Sequence, residues 1–219
     1  MIDLTTIPSS CDLLEAPLQE QLGQLLDRMK LPVVLKAVVD LEDKNSQEMA
    51  AFLKVFCSLT DKLSLELYAV GEADQAPELD TAWLPVTGLY QDGAYGRAAF
   101  HGVPGGKEIN SFVAAIIHLS GAGKPVNFLL KRKIDKIQEK TSLKVCVSLT
   151  CHHCPGVVAA CQQLAMLNPN IEAEMIDARL YEDLVKKYQI ERVPFLIVND
   201  QDTYMGNKTM EDIVNLLKK

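Results

Sequence analysis

The sequence predicts an α/β protein in which a mixed β-sheet flanked by helices is written twice in tandem. Three observations point there. Short apolar, β-branched runs alternate with segments of helical period along the chain. The order of those elements recurs after Gly121-Ala122-Gly123-Lys124-Pro125, a turn-rich stretch that reads as a boundary. At 219 residues and 48% hydrophobic side chains, the chain can bury one large core or two small ones.

In the first copy, residues 11–30 place Leu14, Leu18, Leu22, Leu25, Leu26 and Met29 on one helical face, and Pro32 stops the helix. Val33 to Val39 is a buried strand. Ser46 is the expected N-cap of a helix that buries Met49, Phe52, Leu53 and Phe56. Leu63 to Val70 gives a second strand, and the polar stretch Gly71 to Thr81 a crossover or loop. Leu84 to Tyr90 reads as a strand, Gln91-Asp92-Gly93 as the turn into another, and Gly106 to Leu119 as the closing helix. The second copy begins with a basic helix, Asn127 to Lys140, and a strand, Leu143 to Ser148. A helix ending near Asn168-Pro169 follows, then a strand from Ile171 to Ile176 and a short helix from Leu180 to Tyr188. Val193 to Val198 is a strand, Asn199-Asp200 a turn, and Thr209 caps a last helix running to Lys218. Two units are expected, residues 1–124 and 125–219.

The repeat extends to single residues. One gapless offset sets Asp43-Lys44-Asn45-Ser46 on Cys151-His152-His153-Cys154, Leu53 on Cys161 and Leu63 on Ile171. Further on, Pro85 lies opposite Pro194 and Gly102 opposite Gly206. The first copy therefore keeps the framework without the cysteines.

Cys151-His152-His153-Cys154 stands between a strand and a helix start, the arrangement of a redox-active dithiol. Unbonded N–H groups of the helix's first turn, with its macrodipole, stabilise a thiolate there. Cys151 is expected at the N-cap and Cys154 one turn further in, with the Cys151 pKa below the free-thiol value of about 8.5. Zinc would need a second Cys/His pair at ligand spacing, which the sequence lacks, so no metal is expected. A purely structural bridge across so short a loop would remove little unfolded-chain entropy. Cys57, Cys146 and Cys161 read as small core residues and Cys11 as an exposed thiol near the terminus. His118, among Ile116, Ile117 and Leu119, reads as packing.

Composition narrows the partners. The formal charge of −7 argues against nucleic acid. No apolar run reaches membrane-span length, and the first residues show neither a basic n-region nor an apolar h-region. Six irregularly spaced cysteines are not a disulfide scaffold, and the reducing cytosol is the expected compartment.

Cys-x-x-Cys at the first strand–helix junction, with Val193-Pro194 before a later strand, resembles the thioredoxin fold. The resemblance implies that Pro194 is cis and stands with Val193 beside the dithiol to receive substrate chain, with Pro85 as its counterpart in the first copy. A closer resemblance is to the N-terminal domain of the flavoprotein subunit of bacterial alkyl hydroperoxide reductase, a tandem of two such folds whose first lacks the dithiol. Ser148 to Pro155, Leu167-Asn168-Pro169, Ile176-Asp177, Val193-Pro194 and Phe100 to Glu108 carry it, over nearly the whole chain. It implies that Glu108, at the position of a family glutamate, lies near the dithiol; as a carboxyl kept partly dry by the interface between repeats it is expected to pass a proton to or from Cys154, and an exposed first-turn glutamate is the alternative. His152 and His153 either lower the Cys151 pKa or are solvated and only modulate the potential.

The implied activity is a thiol–disulfide relay, from a flavoprotein disulfide reductase to a peroxiredoxin-like disulfide. A protein disulfide oxidase or isomerase, a glutaredoxin-like activity and a non-catalytic docking module are the alternatives. The family continues into flavin- and nicotinamide-binding domains. This chain stops at Lys219 with no Gly-x-Gly-x-x-Gly loop, so FAD and NAD(P)H are expected on a partner or a further domain.

Overall fold

The computed structural model describes residues 1–218. The first half runs α1 (Ala16–Leu26), β1 (Val33–Val39), α2 (Lys44–Cys57), β2 (Leu63–Ala69), β3 (Val86–Gln91), β4 (Ala94–His101) and α3 (Ile109–Leu119). The second runs α4 (Phe128–Ile134), β5 (Thr141–Val147), α5 (Cys154–Leu167), β6 (Ile171–Asp177), α6 (Glu182–Tyr188), β7 (Phe195–Val198), β8 (Asp202–Met205) and α7 (Met210–Leu216).

The expected mixed sheet is present, and the two copies share it. Its order is β2-β1-β3-β4-β6-β5-β7-β8, so each half contributes the same four-strand pattern. In each, the central strand pairs parallel with one neighbour and antiparallel with the other. The halves join where β4 lies parallel to β6, with Ala98 opposite Ala173 and Phe100 opposite Met175. Closing this seam removes two of the exposed edges that separate sheets would present.

Buried side chains from both halves form one main core, with the Phe52, Phe56 and Phe112 rings in mutual contact and Phe100 edge-on against Phe112 in the first half. Polar groups also tie the seam. His101 is fully buried; its Nδ1 lies 2.7 Å from the Trp83 carbonyl. A carbonyl only accepts, so Nδ1 carries the proton. Its Nε2 faces Glu174 of β6 at 3.5 Å. The Tyr181 hydroxyl donates to the Leu84 carbonyl at 3.1 Å, and Arg97 Nε to the Ala165 carbonyl at 2.9 Å.

Helix boundaries depart from expectation in several places. α1 starts at Ala16, with Pro17 in its first turn, a position where a missing N–H matters little; residues 11–15 precede the helix. Leu25, assigned to the buried face, is 42% exposed. Asp43, not Ser46, caps α2: its carboxylate accepts from the Ser46 amide at 2.8 Å, while Ser46 is fully buried and accepts from the Asp40 amide. The basic helix stops at Ile134 because the chain turns so that the Ile134 and Ile137 carbonyls accept from the Asn168 side chain. Thr209 caps α7 as expected, in a reciprocal capping box with Asp212. No helix among the described residues is long and apolar enough to cross a membrane.

Candidate redox site

β5 delivers the chain to the site, and α5 leads it away. Between them a turn closes with the Cys151 amide donating to the Ser148 carbonyl at 2.9 Å. Cys151 and Cys154 are disulfide-bonded, with their Cα atoms 5.6 Å apart. The helix begins later than the cysteine spacing suggested: His153, rather than Cys151, is the N-cap and Cys154 the first helical residue. Cys151 therefore stands outside the helix and faces its end, because Pro155 sits in the first turn and pre-sets the backbone there. The Cys154 amide points at Cys151 Sγ from 3.2 Å. On reduction that amide is placed to stabilise a thiolate, the electrostatic effect expected of a helix N-terminus.

Access is unequal. Cys151 is half-buried, whereas Cys154 is fully buried. His152 and His153 are both exposed, in keeping with the solvated alternative. The other thiols are unlike the pair. Burial pushes Cys57, Cys146 and Cys161 up to about 12. Cys11 is partly buried rather than exposed, and its thiol is also raised.

Val193-Pro194 stands behind the disulfide, with the Val193 carbonyl oxygen 3.9 Å from Cys151 Sγ. The Val193-Pro194 and Leu84-Pro85 peptide bonds are both cis. The Pro194 carbonyl accepts from the Gly206 amide at 2.9 Å, and the Pro85 carbonyl from the Gly102 amide at the same distance. Gly206 and Gly102 hold φ of 86° and 90°, values that favour glycine. The proline–glycine correspondence read from the repeat is thus a matched pair of hydrogen bonds.

Glu108 comes from the other half. A short 3-10 turn, Gly106–Glu108, precedes α3, and the Lys107 amide donates to the Leu149 carbonyl at 2.8 Å, binding this turn to the loop before Cys151. Gly106 has φ 54°, and a Cβ there would lie 2.5 Å from the Leu149 carbonyl oxygen; only glycine fits this approach. Glu108 is fully buried, not the exposed first-turn residue of the alternative reading. The Ser111 hydroxyl donates to Oε2, and Oε1 has no partner among the described residues. Desolvation raises the carboxyl to about 7, with Asp177 adding like-charge repulsion against the lowering effect of Ser111. Asp177 is itself buried and held by Arg179, at 3.2 Å from Nε and 3.0 Å from Nη2. Sequence reasoning assigned no role to Ser111 or Asp177. The i,i+3 spacing from Glu108 was the available signal for the first; the second is a through-space neighbour that only the seam creates.

A disulfide at a strand–helix junction, backed by a cis proline on a mixed sheet, defines a thioredoxin-like protein of the thiol–disulfide oxidoreductase class. A family model described as "Thioredoxin domain" matches residues 141–218. The N-terminal domain of the alkyl hydroperoxide reductase AhpF from Enterococcus faecalis superposes with a TM-score of 0.86 at 33% identity, covering 93% of this chain and 99% of that one. The chain belongs to this family of AhpF N-terminal domains. The alkyl hydroperoxide reductase AhpF of Pseudomonas aeruginosa is 30% identical over 92% of the chain, and a Bacillus subtilis protein named NADH dehydrogenase 31% identical over 92%. The chain spans 37% of the length of each. A protein disulfide oxidoreductase from Aeropyrum pernix shares the fold, with a TM-score of 0.85 at 21% identity over 96% of this chain and 94% of that one.

Proposed function

We propose that this chain relays two electrons from a flavoprotein disulfide reductase to a peroxiredoxin-like disulfide in a reducing, cytosolic compartment. The observation that carries the reading is a single disulfide on a doubled scaffold, with a half-buried outer sulfur and a buried inner one. In the reduced protein the Cys151 thiolate attacks a partner sulfur. A Cys151–partner bond forms, the partner's disulfide breaks, and one partner thiolate leaves. The Cys154 thiolate then attacks Cys151 Sγ, closing the Cys151–Cys154 bond and releasing the second partner thiol. Val193-Pro194 receives the partner's extended backbone beside the sulfurs, and His152 and His153 border the docking surface.

Glu108 holds the proton that Cys154 gives up when it becomes nucleophilic and returns it on re-reduction. A carboxyl near pH 7 is matched to that exchange. Flavin and nicotinamide are assigned to the partner or to a further domain. The residues of this chain do not fit them, since the sequence contains no Gly-x-Gly-x-x-Gly dinucleotide loop. Residues 1–124 are read as the docking and proton-holding unit and 125–219 as the dithiol unit.

The test is coupled NADH or NADPH oxidation with candidate flavoprotein reductases and peroxiredoxins. Cys151→Ser is expected to abolish turnover, and Cys154→Ser to accumulate a mixed disulfide. Full turnover by Cys151→Ser would make the dithiol incidental. A reduction potential near −180 mV instead of about −270 mV would point to oxidation or isomerisation of protein disulfides.

A further inference from the structure

We propose that a cavity between α1 and α3, lined by neither Cys151 nor Cys154, binds a short amphiphilic carboxylate. Its floor is apolar, with Leu22 of α1 and Val113 and Ile117 of α3. Its rim is basic: Arg28 just after α1, His118 in the last turn of α3, and Lys124 in the connection to the second half. None of the side chains lining it is acidic, although the chain as a whole carries −7. Apolar depth under a positive rim selects a ligand with a hydrocarbon tail and an anionic head.

The rim is built to present charge. Among the described residues, neither Arg28 nor Lys124 has an ion-pair partner, so neither must break a bridge to receive an anion. The connecting segment closes directly on the imidazole, since any Cβ at Gly123 would overlap the His118 ring. Burial holds the imidazolium of His118 below its ordinary value, which leaves Arg28 and Lys124 as the permanent charges and a His118 ring N–H as a neutral donor. Leu25, 42% exposed, lines the cavity. That position is the apolar side chain that the helical pattern placed inside and the fold left out.

Size sets the tail. The cavity holds about 250 Å³. At roughly 30 Å³ per heavy atom, the share of a liquid water, this is about eight atoms, a six-carbon carboxylate. Hexanoate is therefore the probe, titrated into the oxidised protein at pH 7 and followed by amide NMR shifts. Saturable shifts centred on Val113, Ile117 and Lys124 are expected, with a dissociation constant below ~1 mM. Hexanol is expected to bind at least fivefold more weakly, because it keeps the tail and loses the charge, and acetate not to saturate. Lys124→Glu and Arg28→Glu, exposed changes that leave the packing intact, should each weaken hexanoate at least fivefold. Ala114→Phe, which fills the cavity from its wall, should abolish binding while the circular dichroism spectrum is retained.

Absence of saturation, hexanol binding as tightly as hexanoate, or undiminished affinity in both charge variants would overturn the proposal. So would an acidic peptide that displaces hexanoate at concentrations below the hexanoate dissociation constant, which would assign the cavity to a protein partner.

Discussion

Glu108→Gln is the sharpest perturbation of the site, because its effect has a sign, a size and a pH window. The folded-state carboxyl titrates at about 7 against an ordinary value of 4.5. Below 4.5 both folded and unfolded chains hold the proton. As pH rises from 4.5 towards 7 the unfolded chain loses it while the folded one keeps it. Stability is therefore present at low pH and lost up to the folded value. At about 1.4 kcal/mol per pH unit, the loss is about 3 kcal/mol. Glutamine does not titrate. Its oxygen takes the Ser111 hydrogen bond and its NH2 the unpartnered direction of Oε1, an offset that is constant with pH. The variant should thus gain about 3 kcal/mol on wild type between pH 4 and pH 8. With a urea m-value of about 2–3 kcal/mol/M, its midpoint advances by about 1–1.5 M over that range. Urea unfolding of the oxidised proteins at half-unit pH steps measures this. A midpoint difference that stays constant from pH 4 to pH 8 would refute the account of Glu108. Exchange rates in the same series carry the functional half, since loss of the proton store should flatten the wild-type inflection near pH 7.

Asp177→Asn removes the like charge facing Glu108 and should move the pH at which wild-type stability stops falling to a lower value, read from the same unfolding series. Gly106→Ala places a methyl group against the Leu149 carbonyl at a left-handed φ. A loss of about 2–3 kcal/mol in denaturant unfolding and slower exchange by Cys151 are expected, because the loop before the dithiol must shift. Asp43→Cys with Ser46→Cys puts a dithiol at the matching position of the first half. Thiol titration after unfolding should show the two new sulfurs oxidised to each other, and a pair that stays free under mild oxidant would show that the two helix starts differ in geometry.

Much of this is readable from residue order. Period and turn chemistry locate the strands of each half, and the repeat alone sets Pro85 and Gly102 opposite Pro194 and Gly206. Single-residue rules fail where two residues compete for one job. Asp43 and Ser46 are both good caps, and only the approach of β1 decides between them. Leu25 fits the helical stripe, yet the stripe is wider than the surface available to cover it. The shared sheet is not legible, because edge pairing between β4 and β6 leaves no mark in either strand's pattern. The burial of Glu108 is legible only through the repeat, as a carboxyl that an interface between two copies keeps dry, and it is fully buried.

The doubled fold also supplies its own control for why the dithiol works where it does. In the first half the Ser46 amide meets the Asp43 carboxylate at 2.8 Å; in the second the Cys154 amide meets Cys151 Sγ at 3.2 Å. These positions correspond in the repeat, although α2 starts at Lys44 with Asp43 as its N-cap and α5 starts two residues later in the same register, at Cys154. A permanent anion thus occupies in one copy the spot that a thiolate must occupy in the other. The scaffold favours negative charge there whatever group carries it, through first-turn N–H groups that are present in both halves. What distinguishes the live copy is therefore the sulfur itself and the neighbours lent across the seam. The first half supplies the Gly106–Glu108 turn against the Leu149 loop, with the Lys107 amide donating to the Leu149 carbonyl. At the second helix start the Cys154 amide facing Cys151 Sγ and the Gly106–Glu108 turn bound to the Leu149 loop occur together.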